Sequence, residues 1–180
     1  MSDLGEPPVT TNTTRVVPHS TTAKIMHWGF IAVFIYALTK QLDEVEELED
    51  FSLLHYEMAF ASIFLVLVLG RFFYMRATRP TALPADTPRR MMLAARAVHL
   101  AMYTCLGMVA VTGLAIGGLY MHEIKSGFVM DAALLFHEIF INTTYFLILA
   151  HIAAAVYHRR KNDGIWSSMV PWIWKEKPGG

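Results

Sequence analysis

Four long apolar runs constrain this chain more than any other feature. They lie near residues 23–42, 53–76, 93–119 and 130–157 of the 180. The hydrocarbon core of a bilayer is ~30 Å thick, and a helix crosses it in about 20 residues. Every run is long enough. Lipid offers no hydrogen bonds to the backbone, so a span must pair its own N–H and C=O groups, which makes these runs helices rather than lone strands. Hydrophobic residues form 54% of the chain and charged ones 17%, which leaves almost nothing for a soluble domain. The expected fold is all-α, an integral membrane four-helix up-down bundle forming one domain over residues 23–160.

Charge sets the expected orientation. With the N-terminus inside, the inner segments hold Arg15, Lys24, Arg71, Arg76, Arg79, Arg89, Arg90, Arg96, Arg159, Arg160, Lys161, Lys175 and Lys177. Only Lys40 and Lys125 fall outside. The positive-inside rule then places both termini in the cytoplasm. Residues 1–22 carry no basic start followed by an apolar middle, so they read as a disordered cytoplasmic tail rather than a signal peptide. His19 belongs to that tail and is expected to be solvated. Residues 161–180 form a second cytoplasmic tail, in which Trp166, Trp172 and Trp174 could lie along the membrane surface. The inner loop 77–92 is rich in Pro and Arg and suits anionic lipid. The outer acidic run Asp43, Glu44, Glu46, Glu47, Glu49 and Asp50 reads as a solvated loop rather than a metal site. Cys105 is the one cysteine, so there is no disulfide framework and no Cys-x-x-Cys-His for covalent haem attachment.

The chemistry-bearing residues are histidines. The fourth run holds His137 and His151, fourteen residues apart. On a helix that spacing advances about 21 Å and falls about 40° short of four turns. The two imidazoles therefore share one stripe at opposite ends of a span, with Thr144 midway between them. An imidazole in a membrane needs a partner or a metal. Alternating span direction fixes which histidines share a depth. His55 and His137 meet at the outer level. His27, His99 and His151 meet at the inner level, where either His27 or His99 could partner His151. Core histidines hydrogen-bonded to neighbouring helices are the plain structural alternative.

Two facing imidazoles could hold zinc, copper or haem. Zinc usually takes four protein ligands, or three with water, and Glu57 and Glu138 are the only carboxylates near either level. Bis-imidazole haem needs two ligands only and leaves no site for oxygen, so its task is electron transfer. Two such pairs, one per leaflet, form a wire across the membrane. Gly107, Gly113, Gly117 and Gly118 in the third run permit close helix packing and also leave room for a flat cofactor. Arg71 reads as a cation snorkelling to the headgroups, with a cofactor carboxylate as its second possible partner.

These residues resemble the bacterial cytochrome b561 family. The matches are Ile25-Met26-His27-Trp28, the histidine opening the second span, Arg96-Ala97-Val98-His99, and Phe136-His137-Glu138 followed by His151, over about residues 23–171. The resemblance implies two non-covalent haems b, with His27 and His151 on the inner iron and His55 and His137 on the outer. It leaves His99 and Arg71 for propionate or quinone contacts. Members often carry glycine one turn after the second-span histidine, where this chain has Ala59. The resemblance also implies membrane quinone as partner and a bacterial inner-membrane location. The expected function is electron transfer between the two leaflets and the quinone pool. Superoxide:ubiquinone oxidoreduction is one form of it, although the acidic outer loop argues against steering superoxide there. His99, Glu57 and Glu138 are candidates for the protonatable group near quinone. A redox-protein donor fits a second reading, a haem-bearing anchor subunit linking a hydrogenase or dehydrogenase to quinone. A homodimer is compatible with the sequence.

Overall fold

The computed structural model describes residues 19–40, 45–78 and 87–171. The expectations for the two chain ends, the inner-loop Pro80 and Pro84, and Asp43 and Glu44 lie wholly or largely outside those residues. Four long helices carry the chain: α1 (Thr21–Leu38), α2 (Phe51–Thr78), α3 (Arg89–Met121) and α4 (Phe128–Lys161). All four are long and apolar enough to cross a membrane. A 3-10 turn at Val45–Glu49 precedes α2, and a short helix, α5 (Ile165–Met169), follows α4. No strand occurs among the described residues.

Local chemistry sets the helix ends. Ser20 caps α1 through its side-chain oxygen, which accepts from the Ala23 N–H at 3.2 Å. Asp50 caps α2, its Oδ1 accepting from the Ser52 N–H at 2.8 Å and the Ser52 hydroxyl at 2.6 Å. Such caps satisfy N–H groups that a first helical turn leaves without partners. These bonds hold the Asp50 carboxyl below its ordinary value. At the other end of the bundle α4 closes on His158, Arg159, Arg160 and Lys161, cations that suit a helix C-terminus. Asn162 then takes a left-handed conformation at φ 56° and Gly164 another at φ 81°. Glycine adopts that region without a Cβ clash, and the reversal turns α5 back onto the bundle.

Helix α3 is central and packs along both α2 and α4. One core cluster lies toward the end where α2 and α4 begin, the outer end in the orientation expected from sequence, and there Leu48 from the 3-10 turn seats on Leu54, Ile116, Tyr120 and Met130. A second lies deeper and joins Phe64 and Val68 of α2 to Leu106 and Ala110 of α3, with Phe30, Val33 and Phe34 of α1 against it. Gly117 is a packing glycine: a Cβ there would come within 2.7 Å of Met58 Cγ. By contrast α1 touches its neighbours thinly and makes no extended packing with α4. The two are joined through α5. The Trp28 indole donates to the Met169 carbonyl at 3.1 Å, and Lys24 Nζ donates to the Val170 carbonyl at 3.3 Å. On the α4 side Arg159 stacks 5.0 Å from the Trp166 ring, and His158 pairs with Asp163 at 2.7 Å.

Large apolar side chains such as Ile63, Val66, Phe146 and Leu149 point outward and stay exposed. A soluble monomer rarely exposes so continuous an apolar surface; a bilayer is its natural solvent. The outer loops are polar. Glu46, Glu47, Glu49 and Asp50 are exposed, and Lys125 pairs with Glu49 at 3.3 Å and Glu123 at 3.7 Å. Those carboxylates hold the Lys125 ammonium above its ordinary value. His122 is exposed in the same loop.

Candidate functional site

The end of the bundle where α1 begins and α4 finishes, the inner end in the orientation expected from sequence, gathers three imidazoles from three helices. His151 of α4 faces His27 of α1 with ring centroids 6.4 Å apart, and faces His99 of α3 at 5.2 Å. Both pairs cross nearly edge to face, at 75° and 81°. The His99 Nδ1–H donates to the Ala95 carbonyl at 2.7 Å. A carbonyl only accepts, so the proton sits on Nδ1 and Nε2 keeps its lone pair. His27 is wired the other way. Arg71 Nη2 lies 3.1 Å from its Nδ1, and a guanidinium only donates, so His27 Nδ1 is the acceptor.

Arg71 is the main departure from sequence reasoning. It does not snorkel; its side chain is buried, 8% exposed, against His27, and its Nη1 has no hydrogen-bond partner. The cation in the last turn of α2 is Arg76. Arg71 lies five residues deeper, about 7.5 Å along the helix axis. Tyr103 of α3 stands beside the guanidinium. His19 also departs from expectation. It is half-buried rather than solvated, and its Nδ1 is buried without a partner. Burial, then the charges of Lys24, Arg71 and His99, hold it below the ordinary imidazole value. A hydrogen bond of 3.0 Å between Ser20 and Tyr74 pins this part of the chain to α2.

The outer end is built differently. His55 of α2 is exposed, folds against the Phe51 ring at 4.2 Å, and donates from Nδ1 to the Phe51 carbonyl at 2.7 Å. His137 of α4 lies against α3, with Nδ1 2.8 Å from Thr112 Oγ1. The Thr112 hydroxyl donates to the Met108 carbonyl at 2.6 Å, so its oxygen accepts the His137 Nδ1–H. Both outer imidazoles thus present Nε2 lone pairs. Gly113 leaves room for this approach, since a Cβ there would stand 3.3 Å from His137 Cε1, a tight contact. Rings of His55 and His137 do not touch one another among the described contacts. Thr144 is buried on the stripe between His137 and His151, its hydroxyl satisfied by the Phe140 carbonyl at 2.7 Å. Of the two carboxylates near the histidine levels, Glu57 is half-buried and Glu138 exposed.

Sequence reasoning missed Thr112, Tyr103 and the inward turn of His19. None carries a local signal, because each matters only through a residue on another helix. Among the described residues no group of three His, Cys, Asp or Glu side chains is placed to hold a metal ion.

A multi-pass helical bundle with three imidazoles meeting at one end and two more toward the other has the parts of a membrane cytochrome of the b type. The chain belongs to the prokaryotic cytochrome b561 family, whose model matches residues 18–172. No curated protein and no solved structure matches it. Family membership brings haem b and a role in membrane electron transfer. The residues fit that cofactor. The donors are imidazoles alone. Two metal–imidazole bonds of about 2 Å set end to end, with half a ring on each side, place ring centres roughly 6 Å apart, and His27 and His151 stand at 6.4 Å. A buried, half-satisfied Arg71 lies beside them.

Proposed function

We propose that this protein is a di-haem electron carrier of the bacterial inner membrane, with both termini cytoplasmic, that links the two leaflets to the quinone pool. The ring spacing of His27 and His151 is the observation that carries the reading. These two residues hold the inner haem b, and His55 and His137 the outer one, both without covalent attachment. The haem supplies reversible one-electron chemistry at iron. The chain would supply two imidazoles to each haem, which would leave the iron no site for oxygen. It also fixes the ring nitrogens: the Phe51 carbonyl and the Thr112 hydroxyl hold Nδ1–H of His55 and His137, as outer partners of ligating histidines generally do. His99, whose Nδ1–H is held by the Ala95 carbonyl, keeps Nε2 for exchanging protons with a quinone at the inner level. Superoxide is a poorer outer donor, because the exposed Glu46, Glu47 and Glu49 repel an anion.

A reduced-minus-oxidised visible spectrum with a pyridine haemochrome assay tests this on the purified protein. Two haems b per chain are expected, falling to one in His55→Ala and staying at two in His99→Ala. Absence of a Soret band in the wild type would overturn the reading. Loss of a haem in His99→Ala would move the inner ligand from His27 to His99.

A further inference from the structure

We infer that the fixed charges of the bundle set the direction of electron flow: the haem on His27 and His151 is the more oxidising of the two, and electrons run to it from the haem on His55 and His137. The inference rests on the di-haem reading and deepens it. A haem brings the same charge of its own to either level. Each end of the bundle also holds two N-termini and two C-termini of the long helices, so the helix dipoles largely cancel between the levels. What differs is the charge of the side chains.

Arg71 is the decisive group. It is buried, and its Nη2 lies 3.1 Å from His27 Nδ1. A guanidinium stays charged even inside a protein, so Arg71 is a permanent cation in surroundings that screen it little. It acts on both His27 and His151, and no carboxylate acts on either. Lys24, half-buried and one turn before His27, adds a second cation. The one acid at this end among the described residues, Asp163, is paired with His158.

The other level has the opposite balance. Glu57 follows His55 by two residues and is half-buried, and Glu138 follows His137 directly. Beyond them Glu46, Glu47, Glu49 and Asp50 are exposed. Of the cations there, Lys40 and Lys125, the second is already paired with Glu49 and Glu123. A nearby positive charge favours the reduced, less positive iron, and a negative charge favours the oxidised one. At an effective dielectric of ~20, a unit charge about 10 Å away is worth roughly tenfold in an equilibrium. Each transfer oxidises the iron at the acidic level and reduces the one at the Arg71 level, with no bond or proton changing place. A one-electron reductant therefore loads the protein at the acidic end, and quinone removes electrons at the level of His99.

Optical redox titration of the purified protein tests this, with each wave assigned by removing one haem. Two waves are expected, and the higher one survives in His55→Ala. Arg71→Gln shifts that haem about tenfold toward ferric, a fall of about 59 mV for one electron, and leaves the lower wave in place. Arg71→Lys keeps the charge and stays near wild type, a recovery that a role in packing alone would not give. Glu57→Gln raises the lower wave by less, because water screens a half-exposed charge. Survival of the lower wave in His55→Ala would overturn the inference, as would an unmoved upper wave in Arg71→Gln. If Arg71→Gln does not fold, the order of the waves in wild type and His55→Ala still decides. If His55→Ala loses both haems, His137→Ala makes the same assignment. Fewer than two haems b per chain in the wild type would overturn the di-haem reading itself, and the gradient with it.

Discussion

Replacing Thr112 with valine isolates one hydrogen bond at the outer level. Valine matches the shape of threonine and keeps the helix, so the change removes an acceptor and little else. In the native protein the Thr112 oxygen takes the His137 Nδ1–H at 2.8 Å while its own hydrogen goes to Met108 at 2.6 Å. Loss of an outer partner of a ligating histidine weakens metal affinity by roughly 10–100-fold. The Val109 carbonyl is also within reach of the His137 ring and can take over part of the bond. The expected loss is therefore near tenfold in affinity for the outer haem, about 1.4 kcal/mol, with the inner haem untouched. Haem titration of depleted protein, followed at the Soret band, measures it. Thr144→Val is the control, because that hydroxyl bonds only the Phe140 carbonyl. Equal outer-haem affinity in Thr112→Val and wild type would refute the claim that Thr112 orients His137 for ligation.

Three further outcomes follow from packing and charge. Gly117→Ala brings a Cβ within 2.7 Å of Met58 Cγ; the flexible Met58 gives way, and thermal unfolding should show a loss of about 1–3 kcal/mol that Met58→Ala relieves in the double variant. Trp28→Phe removes the bond to the Met169 carbonyl and should cost about 1 kcal/mol, read most directly as faster proteolysis of the chain beyond α4. Asp50 is held below its ordinary value by its cap bonds, so the folded state binds its proton later than the unfolded one. Its stabilisation is complete above the unfolded carboxylate value of about 3.9 and is lost as pH falls through the depressed folded value. Asp50→Asn keeps an acceptor at the cap and should remove that part of the acid sensitivity in a pH series of thermal melts.

How far the fold could be read from sequence depended on the kind of information needed. Four apolar runs demanded four helices, because lipid leaves a backbone no other way to pair its polar groups. The depth of each histidine followed from span direction, and the structure gathers His27, His99 and His151 at one level. Partner choice did not follow, because it depends on helix rotation and crossing, which no single run encodes. Arg71 shows the limit well. Its position near the end of an apolar run suggested a headgroup contact, yet α2 continues to Thr78 and carries the residue into the bundle. Thr112 was invisible for a related reason: a threonine in a span usually bonds its own helix, as Thr143 and Thr144 do.

The uneven packing of the bundle is informative about its task. Helices α2, α3 and α4 share a well-filled core, whereas α1 and α4, which carry the facing His27 and His151, make no extended packing with each other. A bundle that only had to be stable would close that seam with interlocking side chains. Here α5 bridges it from the inner side, through Trp28 and Lys24 on one helix and Arg159 on the other. The two helices are thus tied at that end through α5, and the side chains that meet there are the His27 and His151 imidazoles, with Arg71 of α2 against His27. A cofactor held between these imidazoles would add stability, because a ligand that fits only the folded state stabilises that state by mass action. On this view α5 is the part of the fold that keeps α1 at the distance its histidine needs.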